Sequence, residues 1–291
     1  MKNEIIEISK KSGIDVIGFC NLKKLIVPYE KYELQEKLGF KSSFQVGKIS
    51  DKDLSDEKYN KYNTGIVIGV GYEKIEFKDK EKIYFSSCAH GIDYHIVLKD
   101  KMKFISTYLE NNNFECSVFV DNNPLDERLL AYNAGVGFYG KNGLIINEKL
   151  GSCFYIGVIL TDAVIESDKI IENKCINCGL CEKVCPINAI NEYGILDSNK
   201  CMSYLTQKKS VDEKYYKYFD NCVYGCDKCI NICPYNKSVK ISCDDGIYGH
   251  EFLNMSEDEY NNKYKNNSSY WRGKKVIDRN INIYLNNLKK K

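Results

Sequence analysis

No apolar stretch in this 291-residue chain approaches the roughly 20 residues that a membrane-crossing helix needs, which excludes a helical span. An excess of one charge is also missing. Lys and Arg number 42 against 40 Asp and Glu, for a formal net charge of +2. Overall charge therefore argues neither for nor against an anionic partner. The opening residues Met1-Lys2-Asn3-Glu4 lack the apolar core of a signal peptide and any twin-arginine pair. A cytoplasmic location is the expectation, and it suits exposed reduced thiols. No internal repeat is present beyond two cysteine runs. Proline is scarce too, at four residues, and two of these, Pro186 and Pro234, directly follow cysteines.

Cysteine is abundant, at fourteen residues. Cys175, Cys178, Cys181 and Cys185, followed by Pro186, form the C-x2-C-x2-C-x3-C-P run of bacterial ferredoxins. Cys226, Cys229 and Cys233, followed by Pro234, form a second run, with Cys201 as a distant fourth member. A cubane cluster needs four thiolates at its corners, and closely spaced gaps supply three of them. The fourth cysteine of a run ligates the other cluster. One [4Fe–4S] cluster is therefore assigned to Cys175, Cys178, Cys181 and Cys233. The other takes Cys185, Cys201, Cys226 and Cys229. The prolines redirect the chain, since they fix φ and donate no hydrogen bond. Zinc prefers separated C-x2-C pairs, and disulfides need an oxidising compartment.

The remaining pattern predicts an α/β domain through about residue 166. A helix is expected over Ile5 to Ser12, and a strand over Ile14 to Phe19. Residues 31–63 read as polar helix and loop. Gly65 to Val70 and Ser117 to Val120 read as buried strands, and Tyr94 to Leu109 as a long amphipathic helix. A helix over Leu125 to Asn133 should stop at Gly135. Leu144 to Asn147 and Phe154 to Leu160 read as a strand pair. A ferredoxin-like double-cluster domain should follow over 167–245, and a basic tail over 246–291. In that tail, Arg272, Lys274, Lys275 and Arg279 stand among Tyr264, Tyr270 and Trp271, a composition suited to a phosphate backbone. A solvated capping helix has equal support.

One ordered series of segments carries a family likeness. Val120-Asp121-Asn122-Asn123-Pro124-Leu125-Asp126-Glu127-Arg128 leads into Ala134-Gly135-Val136-Gly137-Phe138-Tyr139-Gly140-Lys141-Asn142, with Gly151-Ser152 beyond. Gly91-Ile92-Asp93-Tyr94-His95, Cys201-Met202-Ser203-Tyr204-Leu205-Thr206 and Cys233-Pro234-Tyr235-Asn236 extend it. This resembles the epoxyqueuosine reductase family from about residue 85 onward. The resemblance implies a cobalamin-binding domain similar to flavin-reductase folds, joined to a ferredoxin domain. It implies an oxidoreductase that converts epoxyqueuosine to queuosine at the transfer-RNA wobble position. Cob(I)alamin, fed by the two clusters, would do the reduction, and a flavodoxin- or ferredoxin-type donor would supply electrons. The helical-repeat extension of longer members has no counterpart here. Residues 39–48 lack the glycine- and methionine-containing loop expected of the family, and Tyr235 stands where tryptophan is frequent.

The residues have chemistry of their own. Expelling an epoxide oxygen as alkoxide needs a proton, and a partly buried carboxyl of raised pKa can give one. The family's proton donor aligns on Asp121, which follows a strand; an Asx-turn or helix cap is its ordinary alternative. The resemblance puts Arg128 beside the cofactor. Gly135, Gly137 and Gly140 would admit a large planar ligand, with Lys141, Asn142 and Ser152 as further contacts. The G-x-G-x-x-G spacing follows a helix and not a strand, so it fails as a dinucleotide site. Asp93-x-His95 lacks the later glycine of the D-x-H-x-x-G motif, so cobalamin is expected without a histidine ligand. Two other readings stay open: a corrinoid iron–sulfur reductase of another electrophile, similar to reductive dehalogenases, and a ferredoxin-type carrier.

Overall fold

The structure, a computed structural model, describes residues 1–77, 79, 81–191 and 195–290. Its centre is a four-stranded antiparallel sheet. The strands run in the order Val16–Asn21, Thr64–Gly71, Phe154–Thr161, Cys116–Phe119. The period of two along each strand divides two cores. Val67, Val158 and Leu160 pack to one side, against the helix Glu127–Asn133. Ile66, Ile68 and Ile159 pack to the other, against Lys2–Lys11 and Tyr94–Asn111. Gly18 is where the short helix meets the sheet, because an added Cβ would stand 2.1 Å from Ala134 O.

Two strand expectations change. Cys116–Phe119 is an edge strand, half-exposed rather than buried, because it has a neighbour on one side only. Ile145–Ile146 pairs with Phe138–Tyr139, not with Phe154–Thr161, which is already paired on both sides. Residues 31–63 hold most of the helix Tyr29–Lys37, the short helix Ile49–Lys52 and loops, as their weak pattern implies.

Residues 246–290 hold three α-helices and a short strand in place of a free tail. Helices Gly249–Asn254, Glu257–Tyr264 and Lys274–Lys289 close a core with strands Lys82–Phe85 and Cys222–Tyr224. Val276, Ile277, Ile281 and Tyr284 make the buried stripe of the last helix, at helical spacing. Asn280 is fully buried and donates to Thr206 O at 2.7 Å and Val223 O at 2.8 Å. The chain thus ties its end to the segment that carries the second cysteine run. Among the described residues no helix is long and apolar enough to cross a membrane.

Candidate active site

A solvent-open cleft of about 320 Å³ lies beside the sheet, at the end of the Cys116–Phe119 strand. Phe154, Tyr155 and Ile156 line it from the sheet, and Phe44, Gln45, Val46 and Lys52 from the N-terminal third. Asp121 and Arg128, both expected at the site, line it too.

Asp121 stands in a turn with unusual backbone. Its φ is +39° and that of Asn122 is +47°, two consecutive left-handed residues that are not glycine. Such conformations persist where surrounding contacts enforce them. Glu127 does so here, with Oε1 accepting from the Asp121 N–H at 2.7 Å and from Asn123 Nδ2 at 2.8 Å. The ordinary tasks of an aspartate in such a loop are taken by neighbours. Asn123 Oδ1 accepts from the Leu125 N–H at 3.0 Å, and Asp126 caps the helix by accepting from the Leu129 N–H at 3.0 Å. The Asp121 carboxylate accepts from the Tyr94 hydroxyl and, at 2.8 Å, from the Asn122 N–H. Its side chain is exposed to the cleft, not partly buried as expected.

Glu127 is a cleft carboxyl with raised pKa. Burial pushes it up to about 7, and the charge of Asp121 adds to the shift. Its place beside Arg128 in sequence concealed this, because such pairs are usually exposed ion pairs. Glu127 holds more protons folded than unfolded between about pH 4.5 and 7. The stability tied to that proton is full at low pH and is lost as pH rises through about 7. Glu127→Gln should therefore stabilise the protein at pH 8, by roughly 1–3 kcal/mol, and do little at pH 4. Paired unfolding curves at the two pH values test this; equal gains at both would remove the assignment.

Tyr94 stacks on Tyr155 with centroids 5.1 Å apart, so the residue that holds Asp121 is itself held. His95 uses both ring nitrogens: Nδ1 lies 2.8 Å from Asp93 Oδ1 and Nε2 lies 3.3 Å from Asn122 Nδ2. Asp93 caps the long helix through the His95 N–H at 2.9 Å. This pair is a helix start. Phe44, Val46, Phe154 and Ile156 give the cleft apolar surface among its charged and amide groups, which could support a planar ligand.

Six residues expected at the cofactor do not line this cleft. Cβ atoms on Gly135 and Gly137 would stand 2.4 Å from Lys169 O and Ile146 O, and one on Gly140 would stand 2.7 Å from Asn142 Oδ1. Their close approach is to the chain itself. Ser152 is buried, with its N–H donated to Asn236 Oδ1 at 2.7 Å and its hydroxyl accepting from Asn236 Nδ2 at 2.9 Å. The Gly151-Ser152 pair thereby fastens the sheet to the residue three past Cys233. Lys141 Nζ pairs with Glu182 Oε2 at 2.8 Å, beside the first cysteine run. Asn142, 5 % exposed, hydrogen-bonds through its side chain to Cys229. The Gly-Lys-Asn segment therefore serves the clusters, one residue to each run.

Among the described residues no three cysteines stand close enough together to enclose a metal ion, but thiols of the two runs do act on one another. Burial raises the Cys233 thiol, and Cys175 and Cys178 raise it further. Burial likewise raises the Cys229 thiol, with Cys226, Cys201 and Cys185 adding to it. Backbone N–H groups address the sulfurs: Ala189 donates to Cys185 at 3.3 Å, Lys228 to Cys226, and Tyr235 and Asn236 to Cys233. Crosswise neighbours with N–H donors are what two iron–sulfur cubanes would draw on once iron is bound. Loss of an N–H donor to sulfur disfavours the more negative reduced cluster. Asn142→Val should thus lower the potential of one cluster, by on the order of tens of millivolts, leaving the other unchanged. Redox titration followed by electron paramagnetic resonance reads both.

The four basic residues expected at nucleic acid divide. Lys274 is 6 % exposed, and its Nζ is bound to Asp278 and Leu253 O. Arg279 donates to Lys208 O, Lys209 O and Asn280 Oδ1, which joins the last helix to a loop. These contacts occupy both side chains. Lys275 is exposed, and Arg272 stands near the cleft beside Phe44.

Comparison with known proteins agrees with this arrangement. Residues 56–122 match the family described as epoxyqueuosine reductase QueG, DUF1730, and residues 174–236 match the 4Fe-4S double cluster binding domain. The epoxyqueuosine reductase of Staphylococcus aureus is 32 % identical over 98 % of this chain and 80 % of its own. The solved Streptococcus thermophilus enzyme superposes with a TM-score of 0.90 at 29 % identity, over 99 % of this chain and 81 % of that one. A crystal structure of an epoxyqueuosine reductase with an epoxyqueuosine-modified tRNA-Tyr stem loop gives 0.90 at 30 % identity, over the same shares. A catabolic reductive dehalogenase shares the fold alone, with a TM-score of 0.53 at 15 % identity over 96 % of this chain and 35 % of its own. Near-complete alignment, a double-cluster domain and the ordered Val120–Arg128 segment make this chain a member of the epoxyqueuosine reductase family.

Proposed function

We propose that this protein reduces epoxyqueuosine to queuosine in transfer RNA, with Asp121 delivering the proton that the departing epoxide oxygen needs. The carrying observation is the Asp121 carboxylate, held by Tyr94 and the Asn122 N–H in a turn that Glu127 fixes through the Asp121 backbone, at a solvent-open cleft. Residues 1–166, read as a flavin-reductase-like unit, carry the corrinoid. Residues 167–245 carry the clusters. Cobalamin would lie on Phe154, Tyr155 and Ile156, with Arg128 beside it; when bound it supplies the two-electron reducing power, and the clusters supply single electrons.

The chain's own residues perform the rest. Arg128 Nη1 donates to Gly143 O at 3.1 Å, which fixes its guanidinium at the cleft wall. Tyr94 and the Asn122 N–H orient the Asp121 carboxyl. Phe44 and Val46 supply apolar surface to the same cleft as the Asp121 carboxyl. Cys178 is exposed, so the cluster of Cys175, Cys178, Cys181 and Cys233 is the one a flavodoxin- or ferredoxin-type donor can approach.

Anaerobic reconstitution with iron, sulfide and cobalamin, then assay on epoxyqueuosine-containing transfer RNA with a chemical reductant, tests the reading. Formation of queuosine is the expected result. Cobalamin uptake with no conversion would move the substrate to another electrophile and overturn the proposal.

A further inference from the structure

Arg272 is held between two aromatic rings with no anion to answer it. Its guanidinium carbon lies 3.6 Å from the Trp271 ring centroid and 4.6 Å from that of Phe44. Nε is buried and has no hydrogen-bond partner. Among the described residues its side chain makes no ion pair. Buried charged donors are ordinarily satisfied, so an unsatisfied one needs a reason.

The rings that hold it are fixed in turn. Trp271 is 54 % exposed, yet its Nε1 donates to the Tyr224 hydroxyl at 2.7 Å, and Tyr224 is buried. Phe44 packs edge-on against Tyr204 at 4.7 Å and against Trp271 at 5.6 Å. Lys208 Nζ lies 5.6 Å from the Tyr204 centroid, a second cation on the same patch. Phe44 also lines the Asp121 cleft. A planar cation clamped at the mouth of that cleft is preorganised, because its rotamers are already restricted. A guanidinium so held matches the paired oxygens of a phosphodiester better than a lysine would.

We infer that the Phe44–Arg272–Trp271 stack is a phosphodiester-binding site at the mouth of the cleft, which seats the RNA backbone next to the nucleotide being reduced. This deepens the proposed function and rests on it for the identity of the RNA. The nucleotide loop of cobalamin carries the same chemical group, so the test must separate the two sources.

The test uses the protein loaded with clusters and cobalamin. Its affinity for an anticodon stem–loop RNA carrying epoxyqueuosine is measured across a salt series, for wild type, Arg272→Gln and Arg272→Lys. The affinity of cobalamin is compared with that of cobinamide, which lacks the phosphodiester loop, for the same three proteins before cobalamin is added. Arg272→Gln should weaken RNA binding about tenfold and reduce the logarithmic salt slope by about one. Arg272→Lys should keep the slope and lose part of the affinity. The ratio of cobalamin to cobinamide affinity should not move. If that ratio collapses and RNA binding holds, the site is a phosphodiester site for the corrinoid. If neither changes, in variants with unaltered cluster absorbance, the inference is overturned. Failure of wild type to convert the RNA would instead strike the proposed function, and both binding ratios would still be readable.

Discussion

Asp121→Asn should take up clusters and cobalamin as wild type does and lose turnover by about 10²–10⁴-fold, the usual contribution of a positioned general acid. Asparagine tolerates the left-handed backbone at φ +39°, so the turn should survive. Its amide oxygen can still accept from Tyr94. Glu127 still receives the backbone N–H of residue 121, because that bond does not involve the side chain. What is lost is a transferable proton. Corrinoid absorbance measures binding, and single-turnover product formation measures the chemical step. A variant that binds and turns over equally would remove Asp121 from the mechanism.

Cys233→Ser should lose the cluster shared with Cys175, Cys178 and Cys181, retain the one held by Cys185, Cys201, Cys226 and Cys229, and bring turnover to background. Iron content should fall from roughly eight to roughly four per chain. The crosswise assignment predicts which cluster remains. If each run served its own cube, Cys233→Ser would spoil the cluster of Cys226 and Cys229. The neighbours of Cys233 in space are Cys175 and Cys178, from the other run. Asn142 touches Cys229, so the potential of the surviving cluster should still respond to Asn142→Val in the double variant. No response would mean that the wrong cluster had been kept.

The cysteine runs were legible because cluster ligation is a constraint on spacing. Thiolates with two-residue gaps can reach three corners of a cube, and little else in a chain imposes that interval. The helices were legible for a similar reason: Tyr94–Asn111 shows its buried face at helical intervals, with Leu98, Met102, Ile105 and Leu109 inside. The edge position of Cys116–Phe119 was not legible, since an apolar run does not reveal how many neighbours a strand has.

The glycine-rich segment gives the clearest contrast. Gly135, Gly137 and Gly140 do mark close approach, as their type implies. The partners are Lys169, Ile146 and Asn142, which no local pattern identifies. Lys141 and Asn142 offer hydrogen-bond donors to whatever lies opposite, and the fold puts the cysteine runs there. Ser152 meets Asn236 across 84 residues of chain. Phe44 and Lys52 join the cleft from a segment of weak periodicity.

By itself the sequence pointed to the family, the two cysteine runs and the principal helices and strands of the first half, and it nominated the cluster ligands and the acid at position 121. Each is carried by residue type at short, fixed separation, where covalent geometry limits the choices. Tertiary structure alone decided that burial raises the Glu127 carboxyl, that the glycine loop lies against the cysteine runs, that Lys274 and Arg279 are internal fasteners and that Arg272 makes no ion pair among the described residues. Those outcomes depend on burial and on which distant groups meet, and solvent exclusion and long-range contact exist only once the chain has closed on itself.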